Sequence, residues 1–189
     1  MQYTQRYDSP LSGVLLAADE EGLTGLWFDG QKYFGRCLDP KREEGDLPVL
    51  KETVRWLDAY FAGQEPGFTP ALHMRGTEFQ RGVWEFLLQI PYGETITYGE
   101  LARRIAERRG IERMSAQAAG GAAGHNEISI IVPCHRVVGT NGSLTGYAGG
   151  VEHKAKLLAL EGANMERFFI PRRGSAPQLH AGRGQPLRS

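Results

Sequence analysis

The chain has 189 residues, a formal net charge of zero at pH 7, 41% hydrophobic and 23% charged side chains. That is enough apolar residue for one large domain or two small ones, and the composition excludes a fibrous or wholly disordered chain. No apolar run approaches the roughly 18–20 residues of a membrane helix. MQYTQRYDSPLSG has neither the charged head nor the apolar stretch of an export signal, so a cytoplasmic protein is expected. Charge is unevenly spread: residues 1–70 carry 7 Lys and Arg against 12 Asp and Glu, whereas 71–189 carry 15 against 10. The second part is therefore the one to search for a polyanionic partner.

In chain order, GVLLAAD and GLTGLWF are short apolar runs separated by a turn at EEG, which predicts a hairpin. PVLKETVRWLDAYFAG spaces Val49, Leu50, Val54, Leu57, Tyr60 and Phe61 helically and stops at Gly63. Together these predict a small α/β unit over 1–75, with the Gly- and Pro-bearing GQEPGFTPAL leading to its boundary. A mostly helical unit over 76–171 follows. TEFQRGVWEFLLQIPYG puts Phe79, Val83, Phe86, Leu87 and Ile90 on one stripe, and TYGELARRIAERRG opens with a capping box in which Thr97 and Glu100 reciprocate. A further helix begins at Ser115, making a helix-turn-helix candidate with a basic turn, Arg108–Arg113. From Ser115 to Gly124 the only bulky side chain is Gln117, so one face can lie against a neighbour and the other can enter a space as narrow as a minor groove, ~6 Å wide. EISIIV predicts a buried strand, VEHKAKLLALEG an amphipathic helix ending at Gly162, and residues 172–189 a disordered tail. The tryptophans Trp27, Trp56 and Trp84 are read as core, and His73, His125, His153 and His180 show no partner spacing.

Chemistry concentrates at PCHR. Cys37 and Cys134 are read as two reduced thiols, and no Cys or His spacing suggests a metal, so neither metal nor cofactor is expected. Pro133 ends the apolar run before Cys134; His135 brings a base that titrates near neutrality, and Arg136 a cation that favours thiolate over thiol. An unshifted thiol is only about 3% ionised at pH 7. A carboxylate normally orients such a histidine, and Glu161 on the next helix is the candidate by placement. The residues alone also allow a Cys–His hydrolase that turns over.

PCHRV, within GHNEISIIVPCHRVVGTNGSLTGYAGGVEHKAKLLALEG, resembles the active-site signature of the O6-alkylguanine-DNA alkyltransferases, the methylated-DNA–protein-cysteine methyltransferases, and TEFQRGVWEFLLQIPYGETITYGELA resembles that family's entry to its DNA-binding motif. The resemblance is strong over 77–162 and weak before it. It implies an α+β fold: a ribonuclease-H-like N-terminal domain and a winged-helix-like C-terminal domain. It also implies a suicidal, single-turnover repair protein, a monomer acting on double-stranded DNA that carries O6-alkylguanine, with O4-alkylthymine a further candidate. Cys134 would be the alkyl acceptor, activated through His135 and Glu161. Asn126 would hold the turn before the active site, and Tyr98 would serve nucleotide rotation and protonation of the leaving guanine. Tyr147, Ala148 and Gly149 would wall the alkyl pocket, and Thr97, Ser115, Gln117, Ala118, Gly121 and Arg136 would meet DNA. Two positions depart from the pattern: Gln117 stands where the family has an Arg that fills the gap left by the extruded base, and Glu127 where a Pro follows the Asn. Gln lacks the charge and stacking plane of a guanidinium.

Overall fold

The structure, a computed structural model, describes residues 1–172; the tail expected over 172–189 lies, apart from its first residue, outside them. The expected hairpin forms as β2 (Gly13–Asp19) and β3 (Gly22–Phe28), paired antiparallel. Asp19 closes the turn by accepting the Glu21 and Gly22 amides at 3.0 and 3.2 Å. Two strands escape the sequence pattern. β1 (Gln2–Asp8) pairs antiparallel with β2, and β4 (Arg42–Glu44) runs parallel to β1, giving the sheet order β3-β2-β1-β4. Helix α1 (Pro48–Phe61) starts on a proline, whose missing N–H costs nothing in a first turn. It buries Leu50, Thr53, Trp56, Leu57 and Tyr60 and packs on β2 and β3.

In the second half, α2 (Glu78–Leu87) carries a full capping box between Thr77 and Gln80. Strand β5 (Ile96–Thr97) leads directly into α3 (Tyr98–Arg109). There Thr97 accepts the Glu100 amide at 3.1 Å, but the expected reciprocal bond is not made, because Arg103 and Arg104 take the Glu100 carboxylate. Gly110, at φ +65°, ends α3 in the left-handed conformation. Ser115 then caps α4 (Ala116–Gly124) by accepting the Ala118 amide at 3.0 Å. The indole N–H of Trp84 on α2 donates to Ala122 O of α4 at 2.9 Å, so a core residue also anchors that helix. Strand β6 (Val137–Val138) pairs parallel with β5, and α5 (Val151–Leu160) completes the half. Across the expected boundary near residue 75 one apolar cluster joins both halves, from Val14, Leu16 and Trp56 to Val83, Leu101, Val132 and Cys134.

The strand expected over EISIIV is absent. Only Ile128 bridges Leu26, with Leu26 N donating to Glu127 O at 2.8 Å and Ser129 N to Leu26 O at 2.9 Å. The chain then leaves the ladder because Ile130 sits at φ +69°, a conformation that costs a β-branched residue about 1–3 kcal/mol. Apolar content signalled burial correctly, but backbone carbonyls that a ladder would engage are taken by Asn126. β3 therefore supplies its free edge to two segments, 71–73 and 127–129. On the same strand the Trp27 indole folds back over Gly25, where an added Cβ would overlap the ring. Gly25→Ala should thus lower stability by about 3 kcal/mol, read as a fall in thermal midpoint, and a midpoint equal to wild type would contradict this packing.

Candidate active site

Cys134, His135 and Arg136 form a single 3-10 turn. Successive residues in such a turn diverge, whereas neighbours on a strand would point to opposite faces. Asn126 sets the approach to it. Its amide nitrogen donates to Val132 O at 2.7 Å, Ile128 O at 3.2 Å and Cys134 Sγ at 3.3 Å, and its oxygen accepts the Ile128 amide at 2.9 Å. One side chain thereby ties the irregular segment to the sulfur.

Cys134 is buried, 6% exposed as a residue. Burial pushes its pKa up, opposed by the Asn126 hydrogen bond and by the Lys154 charge. The expectation that Arg136 ionises it is overturned: the guanidinium is buried and turned to other partners, donating to Glu161 from Nε at 2.9 Å and Nη2 at 3.0 Å, and to Ile90 O from Nη1 at 2.6 Å. For the same reason Arg136 is not placed to contact DNA.

His135 is fully buried, with Nε2 2.6 Å from Glu161 Oε1. A carboxylate only accepts, so Nε2 bears the proton and the lone pair lies on Nδ1, a buried nitrogen with no hydrogen-bond partner among the described residues. Burial holds the imidazole pKa below its usual value, against the pull of Glu161. Glu161 caps the C-terminus of α5 and also receives the Tyr60 hydroxyl on Oε1 at 2.7 Å and the Gly93 amide on Oε2 at 3.1 Å. Burial alone would raise its pKa, but the bonds from His135 and Arg136 hold it well below the carboxylate range. Glu161, the candidate from its place on the next helix, thus makes the contact that sequence alone does not fix. Tyr60 was read only as a helix-face residue, and no local signal marks a partner 101 positions away.

Lys154 was also missed. It is fully buried, donates to Thr145 O at 3.0 Å and to the Tyr98 hydroxyl at 3.4 Å, and also reaches Val137 O. Burial lowers its pKa to about 8, with Cys134 acting in the opposite sense. A signal existed: Lys154 shares the face of α5 that carries Leu157, Leu158 and Glu161, and a lysine on an apolar stripe asks for a reason. Tyr98 donates to Thr145 O at 2.9 Å, and its ring lies against the sites where Gly120 and Gly146 lack a Cβ, at 3.1 and 3.3 Å. Burial keeps this phenol protonated. Tyr147 stands edge-on to His135, ring centres 6.3 Å apart; Ala148 O accepts the Lys32 amide at 3.0 Å, and a Cβ on Gly149 would come within 3.1 Å of Phe28. Two clefts border this wall. One, of about 280 Å³, lies between Lys32, Tyr33, His125 and Tyr147; the other, of about 300 Å³, is lined by Tyr98, Ala116, Gln117, Gly120 and Gly146. Cys134 lines neither of these two clefts.

Two family models match the chain: the ribonuclease-like domain of 6-O-methylguanine DNA methyltransferase over residues 2–73, and the DNA-binding domain of the same family over 78–163. The chain belongs to the 6-O-methylguanine DNA methyltransferase family. A methylated-DNA–protein-cysteine methyltransferase of Methanosarcina acetivorans is 45% identical over 161 residues, which are 85% of this chain and 99% of that one. One of Mycobacterium tuberculosis is 44% identical over 163 residues, 85% and 93% of the two chains. The crystal structure of the Mycobacterium tuberculosis O6-methylguanine methyltransferase superposes with a TM-score of 0.72 at 44% identity, covering 85% of this chain and 93% of that one. An OGT from the same organism, solved in complex with DNA, gives 0.73 at 42% identity, covering 88% and 94%.

In this methyltransferase-family chain the predicted DNA-facing residues divide. Ser115, Gln117, Ala118 and Gly121 lie exposed along one face of α4, while Ala119, Ala122 and Ala123 are buried on the other. The missing Cβ of Gly121 meets nothing within the protein, so its absence serves no internal packing. Thr97 is half-buried, its hydroxyl used as the α3 cap. In the basic turn Arg108 pairs with Glu85 at 3.1 Å and Arg109 lies over Phe79. Exposed pairs of that kind are worth about 0–1 kcal/mol, little obstacle to a phosphate.

The buried pair sets the acid response. His135 and Glu161 both have folded pKa values below their unfolded ones, so the unfolded chain binds more protons and stability falls with pH. The His135 contribution begins to be lost below pH ~6.5 and that of Glu161 below ~4.3. A thermal midpoint that drops from pH 7 to 4 checks the sign, and a flat profile would refute it. Arg136→Ala, which leaves Glu161 buried with lost donors, should cost about 3–5 kcal/mol by denaturant titration.

Proposed function

We propose that Cys134 accepts an alkyl group from O6 of guanine in double-stranded DNA, once per molecule. Sγ displaces the alkyl carbon from O6 in line, forming a thioether while the C–O bond breaks and its electron pair returns to the guanine. The thiol proton passes to His135 Nδ1, through a bridging water in the reading the family resemblance implies. Tyr98 gives a proton to the departing guanine and regains one from the relay, so that the thiol hydrogen ends on the base and the alkyl group on sulfur. The observation that carries this is the 2.6 Å contact between Glu161 and His135 Nε2, which leaves Nδ1 as the basic nitrogen of the residue that follows a cysteine whose thiol is neutral at rest. A thiol held neutral is protected from stray oxidants and needs the imidazole at the moment of transfer.

O6 is out of reach inside a stacked duplex, so the base is extruded. The small exposed face of α4 supports its entry into the minor groove, with Gln117 filling the gap in the stack. Tyr147, Ala148 and Gly149 then flank the extruded base. The protein acts as a monomer in the cytoplasm, with O4-alkylthymine a secondary substrate.

Intact-mass spectrometry after incubation with an O6-methylguanine duplex tests the reading: one methyl gained, mapped to Cys134 and absent from Cys134→Ser. Unmodified protein beside released product would mark a turning-over hydrolase instead. Gln117→Ala should slow repair of duplex DNA about tenfold or more while leaving reaction with the free O6-substituted base nearly unchanged, since a lost intercalating contact is worth about 1–3 kcal/mol. Equal losses on both substrates would remove Gln117 from extrusion.

A further inference from the structure

The Glu161 carboxylate takes one of its donors from the other half of the molecule. Tyr60, on α1 of the ribonuclease-like domain, donates its hydroxyl to Oε1 at 2.7 Å, the same oxygen that holds His135 Nε2 at 2.6 Å and Arg136 Nη2 at 3.0 Å. We infer that Tyr60 is a positioning residue for alkyl transfer, one that sets the basicity of His135 by sharing Oε1 of Glu161. This rests on the proposed reading of His135 as the base.

Three donors converge on an oxygen with two lone pairs, so each weakens the hold of the others. The hydroxyl cannot swing away. Tyr60 is fully buried, its ring stacked on Trp56 with centres 5.2 Å apart and met edge-on by Phe61 at 5.4 Å and Tyr92 at 6.1 Å. A phenol that merely filled space would be phenylalanine; here the polar end is spent on the carboxylate of the relay. The other charged and titratable groups around His135 are Arg136 in its own turn, Cys134 beside it, Lys154 on α5, Tyr147 from the pocket wall and Tyr92 over Arg136. None of them but Arg136 shares Oε1 with the imidazole. Tyr60 is also the N-terminal domain's direct entry to the relay, which gives that domain a chemical part in the reaction.

The sign follows from the shared oxygen. Without the Tyr60 hydroxyl, more of the Oε1 charge falls to His135, the imidazolium is favoured, and its pKa rises. Tyr60→Phe keeps the ring and its packing. In the full chain, the pH profile of the rate of methyl transfer from an O6-methylguanine duplex should move its acidic limb upward by about half a pH unit or more. The His135 Nε2 proton, followed by NMR in the unreacted protein, should move further downfield. If Tyr60 is only structural, the variant loses thermal stability while limb and resonance stay at their wild-type positions, and the inference fails. Should the wild-type chain take up no methyl group, the functional reading fails instead, and the Nε2 resonance still decides whether Tyr60 and His135 are coupled.

Discussion

A buried carboxylate with its lone pairs filled is the constraint on which the active half of the molecule is built. Glu161 receives five hydrogen bonds from three separated parts of the chain: one from Tyr60 on α1, one from the turn at Gly93, and three from the His135–Arg136 turn, of which Arg136 gives two. Leaving such a charge uncompensated would cost several kcal/mol, so the arrangement is all or nothing. Arg136 neutralises it, and His135 can therefore stay uncharged. The cation next to the cysteine in sequence thus serves the anion behind the histidine.

The second constraint is a single strand edge. β3 is antiparallel to β2 on one side; on the other it pairs through Leu23 with Leu72 and through Leu26 with Ile128. The Trp27 indole adds a buried bond to Glu127 Oε2 at 2.9 Å. Glu127 occupies the position where the resembled family has proline, and the stiffness a proline would give is supplied by this bond and by the flanking backbone pair. The ribonuclease-like domain accordingly does three jobs at the active segment: it docks its backbone, it supports the pocket wall through the Lys32 amide, and it reaches Glu161 through Tyr60.

Periodicity made the helices legible: α1 and α2, the Thr97 and Ser115 starts of α3 and α4, and α5 all carry their signals within a dozen residues. Glu161 was a candidate partner for His135 by its place on the next helix, but sequence does not fix a contact across 26 positions, and the structure makes it. What was not legible depends on distance or on competition. β1 shows no clean alternation and is specified by its neighbours β2 and β4. EISIIV has the composition of a strand, but the Asn126 amide captures the carbonyls and Ile130 is turned out of the ladder. Arg136 was assigned to the thiol and to DNA because sequence shows adjacency and not direction. His73, which had no partner spacing, pairs with Asp19 at 2.8 Å from 54 positions away.

The two borders of the four-stranded sheet are treated in opposite ways. The β3 border is sealed by the chain's own later segments. Among the described residues nothing pairs with the outer side of β4, but that border is only Arg42, Glu43 and Glu44, all exposed and all charged. A long bare border would template association between molecules, and a short ionic one resists it. Among the described residues this border thus offers a second copy three charged side chains and no long row of free backbone groups.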